Sequence, residues 1–343
     1  MLPYVQQQGS AEALMNSPQT FQPTGQWSDL VKDRLGLRFF LGDIPIASIG
    51  FGVLRDTRHF SQLEPWSQQG APKIDWHTVP RAVQAMLYLS HPVDKPPRRL
   101  GKVNGSLLYV PVQYAHSYID LASADDFDAY LAKFSSKSRN EIRRQVKKYI
   151  AFCGQEDPCR EFSSPDEMDE FCALARQVSQ RTYQEQVGHN GFPSGEAFLN
   201  ELRTLAAGDQ MRGHILFHGQ RPIAYSYGTV SSDALVGQYI GYDPEYRDWS
   251  PGSVLTFLIV RRLVEEKRFR IWDFGHSEQD YKKFFATHTF PAADIHLFRP
   301  TLRNHFILTA HVVLNSAVGA VGTVLDRLGL KKKLKRLMRR GSN

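Results

Sequence analysis

The stretch Gly241–Phe285, "GYDPEYRDWSPGSVLTFLIVRRLVEEKRFRIWDFGHSEQDYKKFF", decides how this chain is read. Its middle is strongly apolar and predicts a helix over 253–267, entered through Ser250-Pro251-Gly252-Ser253. Ser250 suits an N-cap, Pro251 suits the first helical position, and Gly252 leaves the backbone uncovered. Two readings compete. The tetrapeptide is ordinary capping, or its bare N–H groups and the positive end of the helix dipole are presented to an anion.

Downstream, "FRIWDF" predicts a strand that ends near Asp273, with Gly275 two residues later. A carboxylate there is expected to face an opening rather than the core. Tyr281 and Lys282 follow at the start of a helix predicted over "SEQDYKKFFATH". An acid, a phenol and an ammonium at one strand end can supply a base, a proton donor and an oxyanion or phosphate contact. The competing reading is a capping Asp with Tyr and Lys on a solvated helix face.

Upstream, "HILFH", "PIAYSYGTV" and "ALVGQYIGYD" are separated by turn-like "GQR" and "SSD", which predicts an antiparallel meander. Before it come helices over Asp166–Gln184 and Glu196–Ala207, and a basic helix "KSRNEIRRQVKKY" that Ser135 or Ser136 can cap. Ser123 is read as a further helix start. Toward the N-terminus, "LRFFLG", "PIASIGFGVL", "SLLYVPV" and "SYIDL" look like strands, with a helix expected around Val79–Leu89. The order of elements predicts an α+β (mixed α/β) fold. The expected organisation is a disordered segment 1–28, an N-terminal α/β subdomain 30–120, a catalytic domain 121–300 and an amphipathic basic helical tail 301–343.

The chain has 343 residues, 42% of them hydrophobic, enough to bury a sizeable core. Its formal charge is +7, but "KKKLKRLMRR" (331–340) alone carries seven cations and no acid, so the remaining body is close to neutral. That distribution provides no broad basic groove for DNA. Cys153, Cys159 and Cys172 are odd in number and lack paired metal-ligand spacing, which points to a reducing cytoplasm and to no metal site. The N-terminus shows no basic region followed by an apolar core, so no signal peptide is read.

Taken as an ordered set, Tyr242-Asp243, Ser250-Pro251-Gly252, Asp273-Phe274-Gly275, Glu278 and Tyr281-Lys282 resemble the C-terminal half of bacterial GNAT-superfamily acyltransferases. The branch most similar is the one named after cellulose-biosynthesis proteins, related to Fem-type aminoacyl transferases. The upstream "SSKSRNEIRRQVKKY" is similar to the basic helix that opens this domain, and the resemblance covers about residues 118–300. His276 and Ser277 depart from the small or basic residues common there, and "RDWSPG" lacks the multi-glycine loop of smaller GNAT enzymes.

The resemblance implies an acyl-CoA-dependent N-acyltransferase, with the N-terminal subdomain a candidate degenerate copy of the same fold. The strand before Ser250 and the strand ending at Asp273 would splay apart to admit the pantetheine arm. The diphosphate of acetyl-CoA or a longer acyl-CoA would rest on Ser250, Pro251, Gly252 and Ser253, and no cofactor would be bound permanently. An amine attacks the thioester directly. Asp273 is the first candidate base and His276 the second, Tyr281 would protonate the departing thiolate, and Lys282 would stabilise an oxyanion or hold a phosphate.

The loop "RTYQEQVGHNGF" lies where such folds form the acceptor wall, which makes Tyr183, Glu185 and His189 acceptor candidates alongside Tyr239 and Glu278. A surface loop with an incidental His, and tyrosines in ordinary sheet packing, are the competing readings. Fem-type relatives use charged tRNA. Here Glu141 interrupts the basic helix and the body lacks net positive charge, which argues against tRNA as partner. Two other functions stay open: a Fem-like aminoacyl-tRNA-dependent transferase, and a non-catalytic binding protein of envelope biosynthesis.

From Phe306 to Leu325 no residue is formally charged, and Ile307, Leu314, Val321 and Leu328 form an apolar stripe. Residues 306–340 therefore read either as a helix docked on its own domain or as a contact with an anionic membrane surface. The location expected is cytoplasmic, with a peripheral site on the inner face of the cytoplasmic membrane under the second reading. In that case the acceptor amine could belong to a lipid, such as a sphingoid-type base.

Overall fold

The computed structural model describes residues 30–41, 44–182, 191–275 and 280–327. Mixed α/β structure is built as two compact units, one of residues 30–114 with 291–327 and one of residues 115–290. The division runs through strands β6 (Gln113–Asp120) and β12 (His288–Phe298).

In the first unit β1 (Leu30–Leu41) and β2 (Ile44–Asp56) form a long antiparallel hairpin, and β2 runs parallel to β3 (Val83–Pro92). Next to β3 lies β12, followed by β5 (Ser106–Tyr109) and β4 (Leu100–Val103), all antiparallel. The helix expected around Val79–Leu89 is thus a strand from Val83 on. Val83, Ala85, Met86, Leu87 and Tyr88 are all buried, because β3 has neighbours on both edges and covered faces on both sides. Such a strand reads as a continuous apolar run and loses its period of two. The carbonyls of Trp76, Val79 and Pro80 accept from the Arg299 guanidinium rather than from helical N–H groups.

The second unit begins at β6, antiparallel to β11 (Ile271–Asp273), which is parallel to β10 (Ala234–Tyr242). The expected meander follows as β10, β9 (Arg221–Ser231) and β8 (Met211–His218), with β7 (Cys159–Phe162) at the edge. Adjacent residues of β8 show the two faces. Leu216 joins a core with α1 (Phe127–Ala132), α2 (Ser136–Cys153) and α5 (Pro251–Glu266), while Ile215 joins one with α3 (Met168–Ser179) and α4 (Glu196–Ala207).

Helix α5 is fully buried through Val254–Val260 and apolar there except for Thr256, whose hydroxyl donates to the Gly252 carbonyl, as a helix covered all round must be. Ser135 caps α2 by accepting from the Ser138 N–H, as expected. The start placed at Ser123 moves to Asp126, whose carboxylate accepts from the Ala129 N–H, while the Ser123 hydroxyl donates to the Asp120 carbonyl. Helix α3 ends at Ser179, short of the expected Gln184.

Candidate active site

Three features lie along β10 and β11 and the connections that follow them. The first is the entry to α5. A 3-10 turn over Pro244–Trp249 ends at Ser250, which adopts a left-handed conformation (φ 52°) and donates its N–H to Arg247 at 3.1 Å. Ser250 occupies the N-cap position, but its side chain makes no capping hydrogen bond. Pro251 is the first helical residue and has no N–H to satisfy. The Gly252 and Ser253 amides, which a capping side chain normally engages, are therefore left to solvent or to a ligand.

Beside this tip lies a cleft of about 170 Å³ lined by Arg144, Lys148, Trp249 and Ser250 among others. The Lys148 ammonium sits 4.5 Å over the Trp249 ring, and that ring stacks on Phe152 at 3.8 Å. Arg144 is held by Glu141 through bonds of 2.8 and 3.2 Å. Glu141 and Asp248 line the same cleft and balance the two cations, so the positive end of the helix is what an anion would meet there.

The turn is fixed from below by Asp243, which is buried. Its Oδ2 accepts from Arg181 at 3.1 Å and from Arg221 at 2.7 Å, and its Oδ1 caps the Glu245 N–H at 3.1 Å. The Tyr-Asp motif thus holds the loop that aims α5.

The second feature is a divergence of strands. Beta-10 and β11 pair over three positions only, ending at Val236↔Asp273, while β10 continues to Tyr242 without β11 beside it. The chain leaves β11 through Gly275 at φ 67°, where an added Cβ would lie 2.4 Å from the Gly237 carbonyl oxygen. Only glycine permits both that conformation and that approach. A bulge between Gly237 and Tyr239 bends β10 at the same level.

The third feature is a buried set of charged side chains. Asp273 is 4% exposed, so its carboxylate does not face an opening as the sequence suggested. It accepts from His116 Nε2 at 2.6 Å and from the Gly275 N–H at 2.7 Å. His116, from β6, packs its ring on Phe290. Lys282, from α6 (Asp280–Phe285), is also buried and donates to the carbonyls of Phe274 at 2.8 Å and Gly275 at 3.4 Å. Burial pulls its pKa down to about 8, and the Asp273 charge opposes that shift. Lys282 therefore clamps the backbone where β11 departs, rather than lying on a solvated face. His116 and Asp273 are hydrogen-bonded to each other, and Lys282 lies close enough to feel the Asp273 charge.

Tyr239 lies in an aromatic cluster on the opposite face from α5. It meets Phe192 edge-on at 5.7 Å and stacks near Tyr227 at 6.3 Å, and burial raises its phenol pKa. Tyr183, Glu185, His189, His276 and Glu278 lie outside the described residues, as does the side chain of Tyr281, whose backbone belongs to α6. Among the described residues no group of His, Cys, Asp and Glu could hold a metal ion. The Cys159 and Cys172 thiols are pushed up to about 12 and 11 by burial, which disfavours the thiolate.

Sequence reasoning missed His116, Arg181 and Arg221. His116 is 157 positions from its partner, and nothing local marks a lone imidazole in a strand as the mate of a distant carboxylate. The arginines could have been suspected from Asp243, since a carboxylate at the end of an apolar strand needs a cation when buried.

Residues 136–283 match the family model of the acetyltransferase (GNAT) domain. A search of curated protein sequences finds no significant match. Among solved structures, the chain is similar to FemX at 9% identity, covering 79% of this chain and 89% of that one with a TM-score of 0.44. It is also similar to the C-terminal domain of a protein described as a lysylphosphatidylglycerol synthetase, from Agrobacterium fabrum. There the identity is 12%, covering 59% of this chain and 66% of that chain with a TM-score of 0.39. An aminoglycoside acetyltransferase from an uncultured soil metagenomic sample aligns at 12% identity over 37% of this chain and 82% of its own, with a TM-score of 0.29.

Proposed function

We propose that the chain is an acyl-CoA-dependent N-acyltransferase of the branch its motifs resemble, acting on an amine of a cell-envelope molecule at the cytoplasmic side of the membrane. The observation that carries this reading is the pairing of β10 and β11 that ends at Val236↔Asp273, together with the helix after β10 whose first amides have no capping side chain. The GNAT match over 136–283 spans both features and supports it. The donor's diphosphate would rest on the Gly252 and Ser253 amides, with Lys148 offering further positive charge.

In the reaction the acceptor nitrogen attacks the thioester carbon, a C–N bond forms and the C–S bond breaks. The nitrogen proton passes through water to the Asp273–His116 pair, both members of which are buried, so that the base is a hydrogen-bonded couple rather than Asp273 alone. Tyr281 returns a proton to the leaving thiolate, giving an amide and a free thiol. Lys282 holds the Phe274 and Gly275 carbonyls in place and lends positive charge to the site. No step asks for a nucleophilic cysteine.

A lipid amine is the acceptor we favour, because of the basic, apolar C-terminal segment. An aminoacyl-tRNA donor finds less support, since Arg143 and Arg144 on α2 already pair with Asp128 and Glu141. Calorimetric titration with CoA and an acyl-CoA, alongside hydrogen exchange at Gly252 and Ser253, tests the donor. Binding with protection of those amides is expected, whereas salt-sensitive binding of tRNA without either would overturn the reading. Profiling amine-containing lipids in a deletion strain, against one complemented with Asp273→Asn, identifies the acceptor as the molecule that loses its acyl group in both.

A further inference from the structure

Helix α7 (Leu302–Arg327) uses only one side to dock. Leu308, His311 and Asn304 are buried, as is Ile307, and Ala310 and Leu314 pack partly against the same core of the first unit. His311 anchors the contact, through the Tyr109 hydroxyl at 2.7 Å and the Arg38 carbonyl at 3.0 Å. The stripe through Ile307 and Leu314, which the sequence offered to a membrane, is thus spent on the protein itself.

The opposite side carries what that stripe does not explain. Leu302 is 91% exposed, Phe306 75% and Val313 61%. Spacings of four and seven bring the three onto one line of the helix, continued by exposed Ala317 and Ala320. Single exposed apolar residues are normal on any protein. Here three of the five large exposed hydrophobics among the described residues stand on one helical face. Exposed Arg303 and His305 flank this ridge, and the sequence that follows carries seven cations and no acid over 331–340.

We infer that the outward ridge Leu302–Phe306–Val313 is a docking face for an anionic lipid surface. The apolar line would enter the acyl boundary while the cations of 331–340 meet the phosphates. Charge selects the occupant: a second copy of this chain would bring the same cations against themselves, whereas an anionic leaflet complements them. No helix among the described residues is long and apolar enough to cross a membrane, so the contact is a lying-on one. The inference stands independently of the transferase reading, because vesicle binding and acyl transfer are measured separately.

The experiment is cosedimentation of the full chain with phosphatidylcholine vesicles that contain or lack phosphatidylglycerol. Binding to the anionic vesicles alone, weakened by salt, is expected. The double variant Phe306→Asp/Val313→Asp should lose at least about tenfold in partitioning with an unchanged circular dichroism spectrum. Phe306→Trp gives a reading that needs no loss of function, since its emission should shift to the blue on adding anionic vesicles. Wild-type binding retained in the double variant would assign the contact to the basic segment alone and overturn the proposal. So would the absence of a blue shift, or a dimer dispersed by the same substitutions with no vesicle binding.

Discussion

In the second unit the His116 imidazole meets the Asp273 carboxylate at 2.6 Å, whereas in the first unit His311 meets a phenol and a backbone carbonyl. His296, also in the first unit, is buried beside the Tyr109 ring at 5.6 Å. The two settings ask opposite things of the same side chain. Burial pulls His296 down to about 4, against the opposing charge of Asp294, and lowers His311 as well, so both are held neutral. In the second unit a carboxylate instead engages the His116 imidazole directly, with a buried Lys282 close enough to feel its charge. Burial of a histidine alone therefore says little about function, and the partner decides.

The largest effect expected from breaking this contrast is on catalysis. Asp273→Asn preserves shape but removes the charge, and should cost roughly a hundredfold to ten-thousandfold in kcat with little change in donor affinity. His311→Gln should leave kcat unchanged. Steady-state kinetics with the amine found by lipid profiling checks both, and equal losses would erase the distinction between the two settings.

Stability against pH sharpens it next. His296 takes a proton near 6.5 when unfolded but only near 4 when folded, so the unfolded chain binds more protons between those values. The contribution is thus fully present above 6.5 and is lost as pH falls toward 4, by up to about 3 kcal/mol. His296→Leu should flatten that acid limb in urea titrations. Lys282 behaves with the same sign at the alkaline end. Its folded pKa of about 8 lies below the ordinary 10.5, so stability should rise with pH between those values, and Lys282→Met should remove that slope.

The smallest effect concerns the helix tip. A Cβ at Gly252 would meet the Tyr242 ring at 3.7 Å, an ordinary contact, so Gly252→Ala should leave the melting temperature in place. It should still weaken donor binding several-fold by shielding the amides. Calorimetry on the two proteins measures both quantities.

Much of the second unit was legible because its elements are amphipathic and punctuated. The meander, α4 at Glu196–Ala207 and the helix behind Ser250 all announce themselves through period and turn residues. Strand β3 did not, since burial on both faces erases alternation. The candidate site was legible at its backbone, in Ser250–Ser253 and the Asp273–Gly275 exit. Its side-chain environment was not. Whether Asp273 points outward or inward depends on His116, and no local pattern connects the two.

Asp243 ties together two stretches that are far apart along the chain. Arg181, just past α3, and Arg221, at the start of β9, both pair with this one carboxylate, Arg221 reaching Glu245 as well, and it also closes the turn leading into α5. Slackening it slackens everything it tethers. Asp243→Asn should therefore raise KM for donor and acceptor together, a joint signature that no substitution confined to one substrate's own contacts would produce.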